Sequence, residues 1–128
     1  MAIEIIDTGA PSAAPDAVVV TGGARLLHLT GVGPAASGAD RVDGDAAAQA
    51  VVTAAALDAR LTAAGAGWGD VVKIIEYVSD LRAVGALREA LAARGGPDWR
   101  PARTLVQVDN LPAAGARWEL DVVVVLPA

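Results

Sequence analysis

The stretch Val71-Val72-Lys73-Ile74-Ile75-Glu76-Tyr77-Val78, followed by Arg82 to Arg94 and then by Ala102 to Val108, decides how this chain is read. Residues 71 to 78 are rich in β-branched side chains, which are stiff in a helix and pack well on a pleated surface, so they predict a strand. In Arg82 to Arg94 the apolar residues Val84, Leu87 and Leu91 share one helical face, and Gly95-Gly96-Pro97 stops the helix. Ala102 to Val108 then returns to a strand pattern. Trp68-Gly69-Asp70 connects this unit to what precedes it.

Upstream, from Asp43 or Asp45 to Ala64, the spacing Ala50, Ala54, Leu57, Leu61, Ala64 follows a helix face, with Asp and Gly65 as caps. Ala35 to Arg41 reads as loop. Ala17 to Thr21 and Arg25 to Thr30, separated by Gly22-Gly23, have the form of a hairpin, since glycine supplies the positive φ of a tight turn. Residues 1 to 16 read as an arm with a short strand, Ile3 to Ile6, broken by Gly9, Pro11 and Pro15. Downstream, Trp118 to Leu126 is the last strand, and its linkage to Ala102–Val108 favours direct pairing. After the arm the order is β-β-α-β-α-β-β. It predicts one α+β domain over residues 1–128, with two helices on one face of a mixed six-stranded sheet. Two helices leave the other face uncovered, and self-association would cover it.

Composition narrows the function classes. With 54% hydrophobic residues and a mean hydropathy of +0.45, the chain is not disordered. Absence of cysteine removes thiolate catalysis and cysteine-bound metals, and one histidine argues against a histidine metal site. A net charge of −5, with scattered basic residues, disfavours nucleic acid as partner. No apolar run is long enough for a membrane span, and acids interrupt the apolar start where a signal sequence would need a basic one. A soluble, cytoplasmic protein without a cysteine- or histidine-bound metal is expected.

Strand alternation puts Arg103, Leu105 and Gln107 on one face, and Glu119, Asp121 and Val123 on one face of the last strand. If those strands pair, Arg103 sits near two carboxylates. That is either a cross-strand salt bridge, or an arginine for a substrate carboxylate beside a glutamate that handles a proton or water. Spacing alone leaves both open. His28, sharing parity with Leu26 and Thr30, reads as a packed or hydrogen-bonded structural residue, with a place near a cleft as the minor option. Trp99 reads as packing or interface, and Arg88 as a solvated charge on its helix.

Several segments, in order, carry a resemblance: Ala64-Gly65-Ala66-Gly67-Trp68-Gly69-Asp70-Val71-Val72-Lys73, Tyr77-Val78-Ser79-Asp80-Leu81, Pro101-Ala102-Arg103-Thr104, Leu111-Pro112 and Glu119-Leu120-Asp121. Together with the turn Thr30-Gly31-Val32-Gly33-Pro34, the chain from about Ala17 to Leu126 resembles the reactive intermediate deaminase family, the Rid or YjgF proteins. The resemblance implies a chorismate-mutase-like fold and a homotrimer with clefts between subunits. It also implies that Arg103, in Pro-Ala-Arg, grips the carboxylate of a small 2-imino acid, and that Glu119 helps place the water that attacks the imine carbon. The products are a 2-keto acid and ammonia, with no cofactor. Thr30, Gly31, Val32, Leu105 and Arg88 fall at positions implied to line the substrate.

The chain departs from the family pattern at these places. Ala14-Pro15-Asp16-Ala17 stands where the family has Gly-Pro-Tyr. Thr30 and Val32 replace Ser and Gln, Leu105 replaces a small residue, and Arg88 replaces a frequent Asn. These changes leave three readings: a deaminase with an altered substrate, a noncatalytic trimer that binds a carboxylate metabolite, or an enzyme recruited to a biosynthetic hydration, dehydration or cyclisation.

Overall fold

The computed structural model describes residues 2–6, 15, 17–35 and 39–127. Ala14 and Asp16, where the family's tyrosine segment would lie, fall outside them. The elements are β1 (Ala2–Ile6), β2 (Ala17–Thr21), β3 (Ala24–Val32), α1 (Ala46–Ala63), β4 (Val71–Val78), α2 (Val84–Gly95), β5 (Ala102–Gln107) and β6 (Trp118–Pro127). Asp45 caps α1, its carboxylate accepting from the Ala48 N–H at 2.8 Å, and Gly65 follows the helix with φ +72°. Before α2 a short 3₁₀ turn, Leu81–Ala83, is capped by Asp80, so the regular helix starts two residues later than the spacing predicts.

The six expected strands form an α+β arrangement of mixed direction, divided between two sheets. β1 and β2 make an antiparallel ribbon, and the larger sheet has the order β3-β6-β4-β5. Two expectations are corrected by this order. First, β2 and β3 are not a hairpin: β2 pairs with β1 over Ala2↔Thr21 to Ile6↔Ala17, and β3 pairs with β6. The glycine pair, with only Gly22 at positive φ, passes the chain from one sheet to the other. Second, β5 does not pair with β6. It pairs in parallel with β4, because a parallel neighbour needs a crossover and α2 provides one. β4 then separates β5 from β6, pairing antiparallel with the latter.

Register assigns the faces, since residues opposite each other point the same way. Ile74, Glu76 and Val78 of β4 share a face with Trp118, Leu120 and Val122 of β6. Both helices pack there: Leu57 and Leu61 from α1, and Leu87 and Leu91 from α2, are buried against this face in one core. The core contains polar groups that the apolar spacing did not reveal. Trp118 Nε1 donates to Thr53 Oγ1 at 2.8 Å, and the buried Gln49 amide bonds the Gly115 carbonyl and accepts from the Arg117 N–H. The opposite face carries Ile75, Tyr77, Glu119, Asp121, His28 and Thr30, and no described helix covers it. Among the described residues, no helix is long and apolar enough to cross a membrane.

Candidate functional site

Arg103 stands on the helix-facing side of the edge strand β5, directly opposite Ile74. Its guanidinium lies 5.0 Å from the centroid of the Trp99 ring, a cation–π distance. Trp99 is itself fixed. Its Nε1 donates to the Trp68 carbonyl at 2.9 Å and its ring meets Trp68 edge-on at 5.1 Å. The sequence reading of Trp99 as a packing residue therefore holds, and the packing presents Arg103. Arg103 Nε is buried and has no hydrogen-bond partner among the described residues. Burial pulls its pKa below the ordinary arginine value, with nearby Glu76 opposing and Arg88 adding to that pull. The cleft in front of it has a volume of about 670 Å³ and is bordered by Arg88, Glu89, Trp99 and Arg100.

Arg88 is not the solvated charge its helix position suggests. It reaches from α2 to Glu76 of β4, with Nη2 2.9 Å from Oε1 and Nε 3.3 Å from Oε2. Glu76 is fully buried, so the pair is a two-pronged ion pair on a desolvated carboxylate. Glu76 escaped the sequence reading. Its parity with Ile74 and Val78, both core residues, is the signal that could have exposed it.

Glu119 lies elsewhere. Opposite Tyr77 in the β4–β6 ladder, it is on the sheet face away from the helices, whereas Arg103 is on the helix face. The cross-strand Arg–Glu pair expected from hairpin pairing therefore does not exist within one chain, because β4 intervenes. Glu119 borders a second cleft of about 290 Å³ with Thr30, Gly31, Arg60 and Pro112. The β3 turn shapes it. Gly31 has φ +67°, and a Cβ there would stand 3.2 Å from Glu119 Oε1. The Thr30 hydroxyl donates to Asp121 Oδ1 at 3.0 Å, and Arg60, missed in the sequence, donates from α1 to the Thr30 carbonyl at 2.7 Å. The Glu119 carboxylate makes no hydrogen bond or ion pair among the described residues, so it is open to water or a ligand.

The remaining candidates separate from this pair of clefts. The Val32 side chain is fully buried in the core opposite Leu120, so it offers nothing to a ligand. Leu105, half exposed at 37%, lies beside Glu76 on the Arg103 face. His28 is exposed opposite Val123 on the face of the single chain that no described helix covers.

The sequence model of the family described as Endoribonuclease L-PSP matches residues 9–126. The chain belongs to this family, that of the Rid and YjgF proteins. Among solved structures it is similar to YyfB of Yersinia pestis, a Rid-family protein of unknown function: 27% identity, 98% of this chain and 100% of that one, TM-score 0.80. YyfA of the same organism, also a Rid-family protein of unknown function, is 25% identical over 98% of this chain and 100% of that one, TM-score 0.69. A YjgF-family protein of Neisseria meningitidis, 23% identical over 100% of this chain and 98% of that one at TM-score 0.65, shares the fold. No functionally curated protein matches the chain.

Proposed function

We propose that this Rid-family chain is a hydrolytic deaminase of small 2-imino or enamine acids, acting in the cytoplasm as a homotrimer with chorismate-mutase-like architecture and clefts between subunits. The observation that carries the reading is the half-buried guanidinium of Arg103, without a hydrogen-bond partner at Nε among the described residues and held by Trp99 at the mouth of a cleft. Such a cation is costly without an anion, and a planar carboxylate matches its fork.

The opposite placement of Arg103 and Glu119 supports the trimer. One chain cannot bring them to one ligand, whereas the Arg103 cleft of one copy and the Glu119 cleft of the next can. The substrate carboxylate then binds Arg103, and water held by Glu119 adds to the imine carbon. Glu119 takes one proton of the water as the C–O bond forms and hands it to nitrogen, giving the carbinolamine; the hydroxyl proton then passes to nitrogen as C=O forms and the C–N bond breaks, releasing ammonia and a 2-keto acid. An RNA substrate fits less well, because a net charge of −5 opposes the binding of phosphates.

The test generates 2-iminopropionate or 2-iminobutyrate with an amino-acid oxidase or a threonine dehydratase and traps residual imine with semicarbazide. The protein should lower trapping in proportion to its concentration, and Glu119→Gln should weaken this effect about 10²- to 10⁴-fold. No effect on small or bulky imines, combined with Arg103-dependent carboxylate binding, would leave the metabolite-binding trimer or the recruited enzyme in its place.

A further inference from the structure

Arg103 and Glu76 are diagonal neighbours on one face of adjacent parallel strands: Arg103 is opposite Ile74, and Glu76 is opposite Leu105. Glu76 is close enough for its charge to act on the Arg103 guanidinium. Glu76 is a fully buried carboxylate, and Arg103 Nε is a buried donor without a partner among the described residues. Left to themselves these two groups would pair, each relieving the other's desolvation. They do not pair among the described residues, and Glu76 is engaged instead from the opposite wall. Arg88 engages both oxygens of Glu76 from α2.

We propose that Arg88 is a positioning residue: by occupying buried Glu76 it keeps Arg103 unpaired and open to a ligand carboxylate. The three side chains carry two positive charges and one negative, so the cluster is left with a single uncompensated cation. That matches a monocarboxylate ligand. The inference rests on the assignment of Arg103 as carboxylate anchor, and it gives the arginine at position 88 a task without direct ligand contact.

Calorimetry with pyruvate and 2-oxobutyrate as stable carboxylates, together with crystal structures of the variants, tests it. Wild type should bind and Arg103→Ala should not; equal behaviour of the two, or no wild-type binding, sinks the anchor assignment itself. Arg88→Ala should weaken binding about tenfold or more, because Glu76 captures Arg103. The double variant Arg88→Ala with Glu76→Gln should recover binding to near wild type, since the competing charge is gone, and Glu76→Gln alone should bind no less tightly than wild type. Undiminished binding by Arg88→Ala, or a loss that Glu76→Gln does not rescue, overturns the positioning role; the latter would make Arg88 a direct ligand contact. The crystal structure of Arg88→Ala decides the switch without any ligand: Arg103 bonded to Glu76 supports it, and the two side chains apart overturn it.

Discussion

Among the described residues, the half-buried Arg103 guanidinium makes no ion pair and the Glu119 carboxylate accepts no hydrogen bond. Replacing Arg103 by Ala should cost on the order of 2 to 5 kcal/mol in carboxylate binding, measured by calorimetry, as expected for loss of one partner of a desolvated charge pair. Arg103→Lys should recover only part of it, because an ammonium lacks the planar fork and stacks less well on Trp99. Gly31 is the second sensitive point. Its φ of +67° and the 3.2 Å approach of a Cβ to Glu119 Oε1 mean that Gly31→Ala strains the turn and displaces the carboxylate. The expected result is a loss of about 1 to 2 kcal/mol in unfolding free energy, with a drop in imine hydrolysis beyond what that loss explains. The candidacy of Arg103 was readable from Pro-Ala-Arg. Its lack of a partner was not, because that depends on Arg88 having taken Glu76.

Among the elements, α1 was readable from its apolar spacing and its caps, while its buried polar residues were not. Gln49 and Thr53 look like surface positions in the sequence, and their partners Gly115, Arg117 and Trp118 are distant along the chain. Thr53→Val removes the acceptor for Trp118 Nε1 inside the core and should cost about 1 to 3 kcal/mol, seen as a lower urea midpoint at unchanged m-value. At the entry to α2, side-chain and backbone hydrogen bonds from Arg82 hold the Asp80 carboxyl below its ordinary value. A depressed carboxyl pKa contributes stability that is fully present above the unfolded-state value and is lost as pH falls through the folded one. NMR titration of Asp80 should therefore show a midpoint below that of a free aspartate, returning toward it in Arg82→Ala.

For the whole molecule, the uncovered sheet face and the separation of Arg103 from Glu119 make assembly the decisive property. Light scattering should give a mass near three times the 12.8 kDa chain; a monodisperse monomer at micromolar concentration would remove the shared cleft. A sharper test mixes two inactive variants. Subunits carrying Arg103→Ala and subunits carrying Glu119→Gln, dissociated and reassembled together, should regain activity, because roughly a quarter of randomly formed clefts would then pair an intact arginine with an intact glutamate. Failure to regain activity, with mixed assemblies shown by mass spectrometry, would place both residues of each working site in the same chain.

The periods of the apolar residues, the caps and the turn glycines act over a few neighbours, so the segments that become strands and helices were determined by the sequence alone. So were the Pro-Ala-Arg motif, the uncovered sheet face and membership of the Rid family, which are properties of residue order. Which strands lie side by side was decided only in three dimensions. Strand order is a competition among distant partners, and inserting β4 between β5 and β6 turned an expected Arg103–Glu119 pair into two clefts on opposite faces. The same long-range packing brought Arg88 of α2 onto Glu76 of β4, a contact that no local spacing encodes, and with it the freedom of Arg103.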